Sequence, residues 1–261
     1  MSGPWERKDS PGTCALTGLS VVAPVRNEEG NIEPLVQEIV AALSKIPVPG
    51  EILFVDDGST DGTAQRLRGC MEKCECLRVV TLPGNRGQSW ATWVGVRQAR
   101  MSHVATLDGD MQNDPADLVE MVKRVGEYDV VIGRRRTRQD SWRRRAASRL
   151  ANTVQRIVLR DGVRDTGCSV RVFPREVFLA LPAFRGMHRF LPALFLYQGM
   201  RMLEMEVNHR PRRSGRAKYG TLSRAWTAFT DLLGMVWLTR RTICLLDRQG
   251  KPTRGEVIRE P

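Results

Sequence analysis

Apolar and polar positions alternate in blocks along the first half of the chain. Leu19-Ser20-Val21-Val22-Ala23-Pro24 is a short apolar run, which predicts a buried strand. From Asn31 to Leu43, apolar residues recur as Ile32, Leu35, Val36, Ile39, Val40 and Leu43, the spacing of a helix with one buried face. The alternation then repeats as strand Glu51 to Val55, helix Thr63 to Cys74, strand Leu77 to Leu82 and helix Gln88 to Arg100. Strand His103 to Leu107, helix Pro115 to Val125 and strand Tyr128 to Ile132 complete it, with Pro115 suited to the first turn of its helix. Beyond Ile132 the pattern loosens. It predicts a basic helix over Trp142 to Leu159, a strand over Ser169 to Phe173, and helices over Val177 to Leu181 and Met187 to Gly199. Met202 to Asn208 alternates as an exposed strand should, and Thr221 to Leu238 is the last clear helix. The two ends, Met1 to Thr17 and Asp247 to Pro261, read as disordered tails.

Strand–helix alternation at this spacing predicts the α/β class, with a mostly parallel sheet flanked by helices. Right-handed crossovers put the strand C-termini on one edge, where ligands bind in such sheets. The polar clusters fall at those ends: Arg26-Asn27-Glu28, Asp56-Asp57-Gly58-Ser59-Thr60-Asp61, and Asp108 to Asp114. Asp108, Asp110 and Gln112 alternate, so an extended backbone would point them to one side. Mg2+ or Mn2+ takes such hard oxygens, with water and substrate phosphate filling the remaining positions. An acidic surface loop is the plain alternative. A carboxylate of the second cluster could accept the N–H of a nucleobase, and Ser59 or Asp61 could simply cap the following helix.

Composition adds charge to this picture. The 261 residues carry 41 Lys plus Arg against 29 Asp plus Glu, a net of +12, which favours anionic partners. Arginines concentrate between Arg134 and Arg149 and again between Arg210 and Lys218. Their planar forks suit phosphate, although a solubilising surface is the alternative. Cys70, Cys74 and Cys76 crowd together without a histidine or a further cysteine pair to complete a zinc site, and read as reduced thiols of a cytoplasmic protein. Met1 to Thr17 is polar, with Pro4 and Pro11, unlike a signal peptide. Ala225 to Leu238 is the most apolar stretch but contains Asp231 and is shorter than the ~20 residues of a membrane span.

These motifs, in this order, resemble glycosyltransferase family 2. They are Pro24-Val25-Arg26-Asn27-Glu28, Val55 to Thr63, Asn85-Arg86-Gly87, Asp108 to Pro115, Gly133-Arg134-Arg135, Ser148 to Asn152, Asp165 to Arg171, and His209 to Gly220. The branch they resemble is that of the dolichyl- or polyprenyl-phosphate mannose synthases, over roughly Leu19 to Thr239. The resemblance implies a GT-A Rossmann-like domain over residues 18–220, followed by an amphipathic helix over 221–246 that could lie on a membrane surface. It implies an inverting enzyme that moves a hexose of mannose or glucose type from a GDP- or UDP-sugar to a polyprenyl phosphate, with Mg2+ or Mn2+. Nucleotide-sugar binding would fall to Pro24, Arg26, Glu28, Val55, Asp57, Asp108, Gly109, Asp110, Arg135, Arg212 and Lys218. Asp108, Asp110 and Gln112 would hold the metal, and Arg135, Arg144 and Ser148 the acceptor phosphate. Asp110 and Asp165 would be catalytic, Asp165 as base or as positioning residue. Arg26 stands where relatives often carry an aromatic residue, and Cys168 and Val170 stand where Ser and Phe are frequent.

A phosphate monoester is largely dianionic at neutral pH, so such an acceptor needs no strong base. A lipid acceptor would account for the basic helix and for Leu222, Trp226, Phe229, Leu233, Val236 and Trp237 on the last one, a stripe that a core face would equally explain. The expectation is a cytoplasmic protein, peripheral at the inner face of an anionic membrane or recruited by a small integral membrane partner. Rival readings are a family 2 enzyme with a soluble saccharide or protein acceptor, a sugar nucleotidyltransferase, and a basic nucleic-acid-binding protein. The last leaves the carboxylate-rich strand ends unexplained, so nucleic acid is not an expected partner.

Overall fold

The computed structural model describes residues 14–136, 153–159, 161–211, 221–241 and 257–259. In chain order the elements are β1 (Leu19–Val25), α1 (Ile32–Leu43), β2 (Gly50–Asp56), α2 (Thr63–Met71), β3 (Leu77–Thr81), α3 (Gln88–Gln98), β4 (His103–Thr106), α4 (Asp117–Lys123) and β5 (Val130–Arg135). They continue with α5 (residues 153–159), β6 (Arg171–Pro174), α6 (Arg175–Leu179), α7 (Leu191–Tyr197), β7 (Met202–Val207), α8 (Thr221–Arg241) and β8 (Val257–Arg259).

The described strands form one sheet in the order β3-β2-β1-β4-β6-β5-β7-β8. All neighbours are parallel except at β6, which runs antiparallel to β4 and β5. Successive residues of each strand point to opposite faces, and both faces are covered. Val21, Ala23, Val131 and Val172 pack with α1, α2 and α4, whereas Val22, Val130, Ile132 and Phe173 pack with α6 and α7. This double burial explains why β1 and β2 read as continuous apolar runs.

The antiparallel strand shapes the site. Arg171, the first residue of β6, pairs with Thr106 at the end of β4 and with Ile132 of β5. The segment entering β6 is therefore delivered to the same edge as the C-termini of β1, β2, β4 and β5. At the opposite edge a polar network closes the sheet. Ser20 and the Arg100 N–H donate to Glu51 Oε1, and Arg78 donates to Oε2, at 2.6–2.8 Å. Burial alone would raise the Glu51 carboxyl, but these bonds hold it below its usual range.

Several boundaries differ from the sequence expectation. Helix α4 starts at Asp117, after turns from Asp114 and Pro115, and β5 runs on to Arg135. The stretch Met187–Gly199 divides into a single tight turn, Met187–Arg189, and α7. Strand β7, expected as an exposed strand, is buried at every position except Glu206, because it lies inside the sheet and Leu203, Met205 and Val207 pack on one face and Met202 on the other. Part of the expected C-terminal disordered tail is ordered: Val257–Arg259 extends the sheet beside Met202–Glu204.

Among the described residues no helix is long and apolar enough to cross a membrane. On α8, Met235 is buried, and Leu232, Val236 and Leu238 pack on the core, while Leu233 and Trp237 are 54% and 63% exposed. The helix thus has both a core face and an apolar outer face. Leu222, Trp226 and Phe229 lie where side chains are outside the described set.

Candidate active site

The first wall of the site forms where β1 and β2 end. Asn27 adopts a left-handed backbone (φ 52°) and stitches the two ends together. Its N–H donates to Ser59 Oγ at 3.0 Å, and its side-chain carbonyl accepts the Thr60 N–H at 2.7 Å. Asp56 holds the turn by accepting the Ser59 N–H and hydroxyl. Asp61 accepts the Thr63 N–H and hydroxyl just ahead of α2; the N-cap position itself is Gly62, without a side-chain cap, so neither Ser59 nor Asp61 occupies it. Glu28 accepts from the buried Asn31 amide at 2.7 Å.

Asp57 is 5% exposed, and its carboxylate accepts the N–H groups of Arg86 and Gly87 at 2.6 and 2.8 Å. It therefore anchors the Asn85-Arg86-Gly87 turn against the first wall. Gly58 is required where these turns meet: it has φ +67°, and a Cβ there would sit 2.6 Å from the Gly84 carbonyl carbon. The Val55 side chain is fully buried against Leu82 and Ala91, so it underlies the wall rather than lining it.

The floor is the Asp108–Asn113 segment. The expected extended backbone is replaced by a tight turn, with Met111 at φ 61° and its side chain buried. Gly109 fits because the turn presses on β1: a Cβ there would lie 2.5 Å from Val25 Cγ1. Asp108 Oδ1 accepts from Gln88 Nε2 at 2.8 Å, and its carboxylate also accepts from the Ser169 side chain. Burial and the charge of Asp110 push the Asp108 carboxyl up to about 6. Asp110 Oδ1 accepts the Gln112 N–H at 3.2 Å, and Gln112 Nε2 faces the Arg210 carbonyl at 3.5 Å, leaving its amide oxygen for another partner.

Among the described residues no group of three or more His, Cys, Asp or Glu side chains gathers as a metal site. The chain instead offers two adjacent carboxylates and an amide. Their mutual repulsion is the kind that a divalent cation relieves, with phosphate and water completing its shell.

The second wall comes from the segment that enters β6. Asp165 is 8% exposed and forms a fork with Arg135: Nε to Oδ2 at 2.7 Å and Nη2 to Oδ1 at 2.8 Å. The Arg135 N–H adds a third bond at 3.3 Å. Both residues were expected in the site; their mutual pairing was not. Arg171 is buried and donates to the carbonyls of Thr166 and His188 at 3.0 and 2.9 Å. Thr106 Oγ1 donates to the Ser169 carbonyl, and Asn113 donates to Ser169 Oγ, joining wall to floor.

Between floor and wall lies a cavity of about 130 Å3, bordered by residues that include Pro24, Gln88, Asp108, Arg171, His188 and Arg189. Ser89 Oγ accepts the Gly186 N–H and lies 2.6 Å from His188 Nδ1. Donation from the hydroxyl satisfies both contacts and leaves the ring proton on Nε2. Burial, with the charges of Arg189 and Arg171, pushes His188 down to about 3, so it is neutral. Arg189 pairs with Asp231 at 3.2 Å, which ties α8 to this wall.

A further strap crosses the floor. Asn113 bridges His209, the Arg210 N–H donates to the Gln112 carbonyl, and the Arg210 guanidinium binds Glu38 and Asp114. Arg212 and Lys218 follow Arg210 in the sequence but, like Arg144 and Ser148, are outside the described residues. Sequence reasoning missed Gln88, Ser89, His188 and Arg189 as site residues. Gln88 and Ser89 follow a strand-end turn, a signal that was available. Arg171 and Ser169 stood in a quoted motif without a role, and nothing local marked His188 or Arg189.

The glycosyl transferase family 2 sequence model matches residues 20–181. The chain belongs to this family, and its sheet with one antiparallel strand is the GT-A fold. It is 36% identical over 228 residues to the dodecaprenyl-phosphate galacturonate synthase of Rhizobium johnstonii, covering 85% of this chain and 67% of that protein. It is also 36% identical over 206 residues to the undecaprenyl-phosphate 4-deoxy-4-formamido-L-arabinose transferase of Serratia proteamaculans, covering 78% of this chain and 63% of that one. The chain therefore spans about two thirds or less of the length of most such relatives. Among solved structures, glucosyl-3-phosphoglycerate synthase from Mycobacterium tuberculosis, in complex with Mn2+, UDP and phosphoglyceric acid, superposes with a TM-score of 0.66 at 21% identity. That match covers 86% of this chain and 78% of the other. Mannosyl-3-phosphoglycerate synthase from Rubrobacter xylanophilus superposes with a TM-score of 0.64 at 20% identity, covering 91% and 79%.

Proposed function

We propose that this chain transfers a sugar from a nucleoside diphosphate sugar to a polyprenyl phosphate, inverting the anomeric carbon in one in-line displacement. The observation that carries this reading is the placement of the Asp108–Gln112 turn. It lies on the strand edge between the Glu28–Asp57 wall and a cationic wall headed by Arg135. A nucleoside sits against the first wall and a phosphate monoester against the second. The relatives described above are named for sugars moved onto dodecaprenyl and undecaprenyl phosphate, which supports that acceptor class. Their sugars are galacturonate and a formamidoarabinose, so the expected hexose of mannose or glucose type is widened to include a uronate or an amino pentose.

In this reading Asp108, Asp110 and the Gln112 amide oxygen would hold Mg2+ or Mn2+, with Asp108 steered by its bonds to Gln88 and Ser169. The metal, when bound, offsets the charge that develops on the leaving diphosphate. Asp57 orders the turn under the nucleoside, where Pro24, Arg26, Glu28 and the main chain at Val55 and Gly109 add contacts. Arg212 and Lys218, which follow Arg210 in the sequence, are assigned to the diphosphate. Arg135 meets the acceptor phosphate with Arg144 and Ser148. Asp165 positions Arg135 instead of removing a proton, because both of its oxygens already accept from that guanidinium. The outer face of α8, with Leu233 and Trp237, rests on an anionic membrane surface at the cytoplasmic side, alone or with a small integral membrane partner.

A screen of GDP- and UDP-sugars, uronic acids included, against polyprenyl phosphate with Mn2+ tests the proposal by mass spectrometry of the lipid phase. A glycosyl phosphoprenol is expected from at least one donor. Transfer only to soluble saccharide or to small phosphate monoesters would replace the lipid acceptor.

A further inference from the structure

We infer that β8 belongs to the working site: Arg259 neutralises the buried carboxylate of Glu204, and Glu204 fixes the backbone from which Asp165 aims Arg135. The functional part of this inference rests on the proposed role of Arg135 at the acceptor phosphate. The chain of contacts itself does not.

Glu204 is 2% exposed, in the middle of β7. Its side chain lies on the same sheet face as those of Met202 and Glu206, two residues away on either side. Oε1 accepts the N–H groups of Arg164 and Asp165 at 2.9 and 3.2 Å. Two adjacent N–H groups converging on one oxygen fix the turn that presents the Asp165 side chain. That side chain in turn grips Arg135 through three bonds.

Oε2 of Glu204 is buried without a hydrogen bond, and its compensating charge is Arg259 Nε at 3.9 Å. Arg259 stands directly beside Glu204 in the parallel β7–β8 ladder. Its Nη2 also donates to the Gly162 carbonyl at 2.7 Å. One side chain of β8 therefore sits within ion-pair distance of the carboxylate and is hydrogen-bonded to the start of the segment that carries Asp165. A buried carboxylate that loses its cation is strongly destabilised, and the nearest relief is a rearrangement of the groups around it. Here those groups are the amides of the site wall.

Arg259→Met strands the charge; Glu204→Gln removes the charge but keeps an acceptor oxygen. The expected result is that Arg259→Met lowers kcat about tenfold and raises the apparent KM for polyprenyl phosphate, with the nucleotide-sugar KM within twofold of the parent. Arg259→Lys restores most of the turnover. Glu204→Gln combined with Arg259→Met recovers to within about threefold, because no uncompensated charge remains. Hydrogen exchange provides the readout that is independent of activity. Amides of residues 163–166 lose protection in Arg259→Met and regain it in the double variant, while those of β1 and β2 stay unchanged. If the double variant is as impaired as Arg259→Met in both measurements, the coupling does not exist. If exchange follows the coupling but acceptor KM does not, the contacts stand and the placement of Arg135 at the acceptor is wrong.

Discussion

At the scale of single residues, function depends on which carboxylates are already engaged. Asp165 is committed to Arg135, so Asp165→Asn should leave nucleotide binding intact in calorimetry while turnover falls by about a hundredfold. Loss of nucleotide affinity in that variant would place Asp165 on the donor side instead. Arg135→Lys should behave like a disruptive change, because a single ammonium cannot reproduce the fork. His103 supplies a pH prediction. It is 1% exposed, and burial pushes its imidazole down to about 4. The unfolded chain, with an ordinary value near 6.5, binds the proton first, so the stability is fully present above that value and falls as pH drops towards 4. At pH 5 the loss from this group is about 2 kcal/mol. Urea unfolding at pH 7.5 and pH 5 should show it, and His103→Gln should flatten the difference; an unchanged slope in that variant would remove His103 from the explanation.

At the scale of elements, the strands were legible where burial on both faces leaves no polar position, as in β1 and β2. Arg135 and Asp165 were legible as site residues, but not as a pair, because β6 runs against its neighbours and no periodicity reports strand direction. Strand β7 misled for a related reason. Its alternation reads as that of a strand with a solvent face, yet Glu204 serves the backbone of the adjoining segment. The three residues of β8 are too few to show a period at all. The Asp108–Gln112 ligands were found by residue type, although the turn that gathers them depends on Gly109 packed against Val25. Gly109→Ala should cost about 1–3 kcal/mol through overpacking and weaken metal-dependent nucleotide binding. Val25→Ala in the same chain should restore part of that binding, and failure to do so would show that the clash is not the cause. On α8, Leu233→Ser with Trp237→Ser should abolish flotation with anionic liposomes at low salt while changing stability by no more than about 0.5 kcal/mol for each exposed site. Unaltered flotation would move the membrane contact elsewhere.

At the scale of the whole molecule, the sheet sorts its charges by edge. The edge that holds Ser20, Glu51, Arg78 and Arg100 is satisfied internally. The opposite edge carries the Asp108–Asp110 pair, whose charges repel one another, and beyond it the Arg135 guanidinium in its fork with Asp165. That division gives a general reading of the net +12 in the sequence: the excess charge suits phosphates at both ends of the transfer, donor and acceptor. The most direct test is the movement of a labelled sugar from its nucleotide into the organic phase with polyprenyl phosphate, with and without EDTA, in the parent chain and in Asp110→Asn. Metal-dependent transfer is expected in the parent and none above background in the variant. Transfer that persists in EDTA, or in Asp110→Asn at the parental rate, would contradict the proposed metal-dependent mechanism.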